Sequence, residues 1–165
     1  NVRESAAEFE KAVASFLTKS KVQYKSEEEQ RKKFKGTPSG PTPDFVLEGP
    51  VSIICTSEIQ RNGTAPKHFS NIPAIKWIEA KMFYGASTIP HDNKSAVGRI
   101  LLTARKYVKH FGNGVMVFAY GCGDSLAREL AEIGVLALDA HPIDLRSVEE
   151  SQRKWCAGES GEILP

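Results

Sequence analysis

Six consecutive apolar residues, Val115-Met116-Val117-Phe118-Ala119-Tyr120, constrain this chain more than any other stretch. A strand with one wet face alternates apolar and polar side chains, whereas a strand covered on both faces reads as an unbroken apolar run. Helical spacing precedes the run. Val97, Ile100, Leu101, Ala104, Val108 and Phe111 recur every three or four residues, and Gly112-Asn113-Gly114 ends the pattern. A helix over roughly 94–111 that feeds a doubly covered strand calls for helices on both sides of a sheet. A strand ahead of that helix makes the unit a strand–helix–strand crossover, and the two strands are then parallel.

That earlier strand is read in Ile75-Lys76-Trp77-Ile78-Glu79-Ala80-Lys81. Before it, Ala6, Phe9, Val13, Phe16 and Leu17 place an amphipathic helix over 3–19, and residues 21–24 suggest a short strand. Ser26 with Glu29 three residues on forms a capping box for a short helix that ends at Gly36. Residues 37–43 are a proline-rich turn, so the next strand starts at Asp44, is bent by a bulge at Gly49-Pro50 and continues to Ile54. Residues 55–71 lack periodicity and read as a long hairpin-tip insertion. A helix over 125–133, a strand over 135–138 and a helix over 144–155 close the chain. The order α-β-(short α)-β-β-α-β-α-β-α predicts an α/β fold, a mixed sheet flanked by helices in a single domain. The chain does not begin with Met and is read as a fragment of a longer protein.

Charge is unevenly spread. Residues 1–115 carry 18 Lys/Arg against 11 Asp/Glu, and residues 116–165 carry 4 against 9. A basic body suits a polyanion, because neutralised phosphates release counterions; the plain alternative is a solvated surface. Arg31, Lys32, Lys33 and Lys35 on the short helix, and Arg105, Lys106 and Lys109 on the long one, are the candidate phosphate contacts. Cys55, Cys122 and Cys156 are odd in number and lack C-x-x-C spacing, which points to a reducing intracellular compartment and away from structural zinc. His68, His91, His110 and His141 lack zinc-binding spacing too. No apolar run approaches the roughly 18 residues of a membrane span. Gly121-Cys122-Gly123-Asp124-Ser125 lacks the lysine of a phosphate loop and reads as a helix cap at Asp124 or Ser125.

The chemistry concentrates at two strand ends. Glu79 and Lys81 stand two residues apart and share a strand face with Trp77, so that face is covered. A carboxylate and an ammonium there are costly unless paired, hydrated or bound to a metal. Asp44, on a neighbouring strand, brings a second carboxylate, and two carboxylates with water form the oxygen-rich shell that Mg²⁺ prefers. The structural alternative makes Glu79 and Lys81 a same-face ion pair and Asp44 a strand-start cap.

Thr42-Pro43-Asp44-Phe45, Pro50-Val51, Trp77-Ile78-Glu79-Ala80-Lys81, Tyr84-Gly85 and Phe111-Gly112-Asn113-Gly114, in that order, resemble the TPD-motif family. That family is a branch of the PD-(D/E)xK nuclease superfamily that includes the codanin-interacting nuclease. The resemblance implies a restriction-endonuclease-like sheet, with core αβββαβ and a C-terminal αβα extension. It also implies hydrolysis of phosphodiester bonds in DNA or RNA with Mg²⁺ or Mn²⁺, in the nucleus or cytoplasm. By the same resemblance, Asp44, Glu79 and the backbone carbonyl of Ala80 would hold metal. Lys81 would orient or help deprotonate the attacking water. Glu10 or Glu27 would supply a further acid. Tyr107 matches the tyrosine of a Q-x-x-x-Y signature whose glutamine position is Thr103 here. The resemblance equally permits a different class: a nuclease-like scaffold that holds a protein partner of the codanin type.

Overall fold

Chain order in the computed structural model is α1 (Val2–Lys19), β1 (Tyr24–Ser26), α2 (Glu27–Lys33), β2 (Phe45–Val51), β3 (Ile75–Lys81), α3 (Ala96–Phe111), β4 (Gly114–Phe118), α4 (Asp124–Glu132), β5 (Val135–Asp139) and α5 (Arg146–Arg153). The structure describes residues 2–33, 40–51, 53, 74–85, 96–155, 158 and 161–164. The hairpin-tip insertion at 55–71, Lys35, Gly36, Cys55, Cys156, His68 and His91 lie outside the described residues.

The strands form one mixed sheet in the order β1-β2-β3-β4-β5. β1, β2 and β3 are antiparallel neighbours, and β3, β4 and β5 are parallel. The antiparallel and parallel halves therefore meet at β3. Val115–Phe118 of the apolar run lie in β4, which is buried at all five positions between β3 and β5, whereas Ala119 and Tyr120 follow it in a turn that leaves Tyr120 exposed.

Each sheet face carries its own core. Phe9, Val13 and Leu17 of α1 and Val148 of α5 pack on Phe45, Ile78, Val115, Val117 and Leu136. On the other face, Ile100, Leu101, Ala104 and Tyr107 of α3, with Leu126 and Leu130 of α4, cover Trp77, Met116 and Phe118. Alternation along β3 sends Ile78 to the first core and Trp77 to the second. Full burial of each large apolar side chain is worth about 1.5–3 kcal/mol, so both faces clamp β3 and hold its polar end in place.

Several boundaries differ from the sequence expectation, for local reasons. β1 starts at Tyr24 because residues before it close α1. Lys21 takes φ 58°, Lys21 N–H bonds Thr18 O at 3.0 Å and Val22 N–H bonds Leu17 O at 2.9 Å, a left-handed helix stop. The capping box forms: Ser26 N–H donates to Glu29 Oε2 at 2.8 Å, and Glu29 N–H donates to Ser26 Oγ at 3.3 Å. The β2–β3 register shifts between Val46 and Val51, as a bulge at Gly49-Pro50 requires. The Asp124 or Ser125 cap is not made. Gly123 stands at that position with no side-chain cap bond, and Asp124 turns to Arg128 instead. α5 begins at Arg146, since Asp144 Oδ1 accepts the Arg146 N–H at 3.1 Å from outside the helix.

Candidate active site

Proline makes the site by stopping a ladder. Phe45 pairs with Ile78, so the continued register sets Asp44 beside Glu79 and Pro43 beside Ala80. A strand residue sends its N–H and C=O to the same edge. Lys81 O accepts from Ala119 N–H on the β4 side at 2.9 Å, so Ala80 projects both groups toward β2. Pro43 has no N–H, so the ladder provides no donor for the Ala80 carbonyl. The Ala80 N–H is taken by Asp44 Oδ2 at 2.7 Å. In return the Asp44 N–H donates to Glu79 Oε2 at 3.1 Å, and Lys81 Nζ donates to Glu79 Oε1 at 2.7 Å. Asp44, Glu79, Ala80 and Lys81 are thus joined in one hydrogen-bonded cluster where β2 begins and β3 ends.

The cluster is sheltered. Glu79 is 6% exposed, and Trp77, fully buried, lies beneath it on the same strand face. Burial, then repulsion by Glu79, pushes Asp44 up from 3.8 to about 7, against the Ala80 N–H and the Lys81 charge, which pull it down. Tyr107 crosses from α3, its ring edge-on to Trp77 at 5.0 Å and its hydroxyl donating to Thr42 O at 3.3 Å. Burial, then the charges of Glu79 and Asp44, raise its phenol well above the usual tyrosine range, so it stays a neutral donor.

Both candidate extra acids come to the rim. Glu10 stays exposed; the partial desolvation of its carboxyl, then repulsion by Glu27 and Glu79, raises its pKa, and Lys81 lowers it. Glu27 Oε1 is engaged by Arg31 at 2.6 Å and by the Thr42 hydroxyl at 3.0 Å. Among the described residues, no group of three or more His, Cys, Asp or Glu gathers closely enough to hold a metal ion. Thr103 is half-buried on α3, one turn before Tyr107. Arg105, Lys106 and Lys109 are exposed on that helix. Lys32 and Lys33 are exposed on α2, with Lys32 paired to Glu28 at 2.8 Å.

Sequence reasoning missed Gln30. It is buried, and its Nε2 donates to Pro43 O at 2.8 Å and Lys25 O at 3.1 Å. With Glu27 N–H on Asp44 O at 3.1 Å, this braces α2 against the Thr42-Pro43-Asp44 turn. Inside the wholly polar helix EEEQRKK nothing marks the glutamine as buried. Gly114 was read as a helix stop, yet it is a packing site: a Cβ there would lie 2.0 Å from the Trp77 ring. Trp77 Nε1 also donates to Gly112 O at 2.8 Å. Of the cysteines, Cys122 is described and free, and burial pushes its thiol up to about 11, unsuited to attack as a thiolate.

A five-stranded mixed sheet flanked by helices, with a carboxylate pair and a lysine at the junction of its antiparallel and parallel halves, defines an α/β domain with a polar site at its strand ends. The chain belongs to the TPD sequence-motif family, whose model, described as "Protein of unknown function TPD sequence-motif", matches residues 2–141. No curated protein and no solved structure matches it significantly. Among the described residues, no helix is long and apolar enough to cross a membrane.

Proposed function

We propose that this chain is a divalent-metal-dependent nuclease of the PD-(D/E)xK type, with a restriction-endonuclease-like fold, acting on phosphodiester bonds in nucleic acid. The observation that carries the reading is the pair of sheltered carboxylates held against each other at the strand ends, with Asp44 raised to about 7 by burial and by Glu79. Repelling acids of this kind are relieved by a cation other than the lysine already present. The donors on offer are all oxygen: Asp44, Glu79 and the Ala80 carbonyl left without a ladder donor by Pro43. That set fits Mg²⁺ or Mn²⁺, which complete their shells with water. Glu10 or Glu27 at the rim would act through such a water.

When bound, the metal supplies charge for an in-line displacement and lowers the pKa of water. The chain's own groups do the rest. Lys81 holds Glu79 in place at 2.7 Å and offsets charge on the phosphate. Its ammonium, 22% exposed at the side chain, can donate a hydrogen bond that orients the attacking water. Tyr107 fixes the Thr42-Pro43-Asp44 turn from α3. Arg105, Lys106 and Lys109 offer exposed phosphate contacts on the same helix.

One observation favours a second reading, a nuclease-like scaffold that holds a protein partner of the codanin type: no three acids gather at metal-binding distance among the described residues. Hydrolysis decides between them. Wild type with Mg²⁺ or Mn²⁺ is expected to cleave labelled DNA or RNA, and Asp44→Asn, Glu79→Gln and Lys81→Met to lose about 10²-fold or more in rate. A wild type inert on both polymers, yet able to capture a protein partner, refutes the nuclease.

A further inference from the structure

One helix leaves its cations without acids. α3, AVGRILLTARKYVKHF, carries Arg99, Arg105, Lys106 and Lys109 and has no Asp or Glu. Each of the other helices ties a cation to a carboxylate: Lys11 to Glu8 on α1, Arg31 to Glu27 on α2, Arg128 to Asp124 on α4, and Arg146 of α5 to Asp144 just ahead of it. The four cations of α3 are exposed, and among the described residues none of them is held in an ion pair. Like charges one turn apart, as Arg105 and Lys109 are, repel each other. A helix whose wet face is charged with one sign alone is relieved by an anionic partner.

Position singles out Arg99. β3 and β4 are parallel, so the helix that joins them runs back against β3. Trp77 fixes the level near the far end of that helix: the Tyr107 ring packs on it at 5.0 Å, and Gly112 O accepts its Nε1–H at 2.8 Å. From Tyr107 back to Arg99 the helix rises about 12 Å. From Trp77 on to Lys81 the strand rises about 13 Å. Arg99 is therefore level with the end of β3, where Glu79 and Lys81 stand, whereas Lys106 is level with Trp77.

The ridge of the helix sets the side as well as the level. Arg99, Thr103 and Tyr107 follow one another at four-residue steps, which form one ridge on a helix surface. Tyr107 turns that ridge toward the site, since its hydroxyl donates to Thr42 O at 3.3 Å. Arg99 lies about 80° around the helix from Tyr107, and Arg105 and Lys109 lie about 160° around it, on the far flank. Arg99 is thus the cation of α3 that shares both the level and the flank of the carboxylate cluster. Its planar guanidinium offers two parallel N–H groups, the fork that matches two oxygens of a phosphate. Arg105 and Lys109 add a more distant attraction that salt screens.

We propose that Arg99 grips a phosphate of the substrate strand a few nucleotides from the scissile one, so that the strand leaves the cluster along the α3 side of the site. The proposal rests on the nuclease reading above and adds a substrate-positioning residue to it. The test uses the full chain and fluorescein-labelled DNA and RNA of about 20 nucleotides, single-stranded and duplex, with binding measured in EDTA and cleavage in Mn²⁺. Arg99→Ala is expected to lower affinity and kcat/KM about 10- to 100-fold, the worth of a hydrogen-bonded charged contact. Alanine suits an exposed helix position, so the fold is kept. Arg99→Lys, which keeps the charge without the fork, recovers part of the loss. Arg105→Ala removes the same charge from the far flank and changes either quantity less than about 5-fold. A methylphosphonate, which strips the charge from one phosphate, is then moved along the cleaved probe. At one position near the cut it should slow wild type by the factor lost in Arg99→Ala and leave that variant unaffected. Equal cleavage by Arg99→Ala and wild type, or as large a loss in Arg105→Ala, overturns the assignment and leaves the nuclease standing. A methylphosphonate that slows both proteins alike at every position overturns it too. Arg99-dependent binding without any cleavage upholds the contact and removes the nuclease. Wild type that binds no nucleic acid overturns both.

Discussion

Asp44→Asn is expected to stabilise the metal-free protein at alkaline pH and to destabilise it relative to wild type once metal is added. In the fold, burial and Glu79 hold the Asp44 carboxyl at about 7, against 3.8 ordinarily. Between those values the unfolded chain has lost the proton that the folded chain keeps, so stability falls as pH rises. The contribution is fully present below about 4 and is lost as pH passes 7. At about 1.4 kcal/mol per pH unit the interval sets a ceiling near 4 kcal/mol. Asparagine keeps an oxygen for the Ala80 N–H now bonded at 2.7 Å and carries no charge to repel Glu79. It must still be desolvated, so a gain of about 1–3 kcal/mol is expected at pH 8, or roughly 2–10 °C in Tm for a chain this size. The assay is thermal melting of both proteins in EDTA at pH 4, 6 and 8, repeated at pH 8 with millimolar Mn²⁺. The gap should close at pH 4, open at pH 8 and reverse with Mn²⁺, because only wild type presents both carboxylates. A variant less stable at pH 8 in EDTA, or a gap unchanged by pH, refutes the argument that Asp44 and Glu79 repel each other in a sheltered site.

Mn²⁺ at about 100 times its dissociation constant should raise wild-type stability by about 2.7 kcal/mol; equal melting temperatures with and without it, in calorimetry, remove the metal site. Lys81→Met takes the cation from Glu79, whose side chain is 8% exposed, and should cost about 1–3 kcal/mol; denaturant melts check this, and no loss means the pair holds nothing. Gln30→Ala strands the carbonyls of Pro43 and Lys25 and should cost about 1–3 kcal/mol, with cleavage falling further than stability if the turn loosens. Gly114→Ala drives a methyl into Trp77 and should cost about 1–3 kcal/mol or more by overpacking; near-UV circular dichroism of the tryptophan reports it. Lys106→Glu with Lys109→Glu should lower the slope of log affinity against log salt by about 0.7 for each single-strand phosphate no longer neutralised, and an unaltered slope leaves that face merely solvated.

What the sequence by itself determined is whatever repeats locally. The period of 3.6 in α1 and α3, the unbroken apolar run of β4 and the Ser26–Glu29 box each state a face or an end within a few residues. Such signals survive without knowledge of the partner element. The pairing of Glu79 with Lys81 also followed from two-residue alternation, and the 2.7 Å contact realises it. Tertiary structure decided what joins residues far apart in sequence. The strand order β1-β2-β3-β4-β5 sets Asp44 against Ala80, and no local pattern encodes that register. Gln30 is buried because α2 folds back on the Pro43 turn, and a polar helix carries no apolar stripe to announce it. Gly114 is small because Trp77 lies over it, a constraint visible only when two strands are brought side by side. The rise in the Asp44 pKa belongs to the same class. Its causes are burial and a charge 35 residues away in the chain, and both come into being only when β2 meets β3.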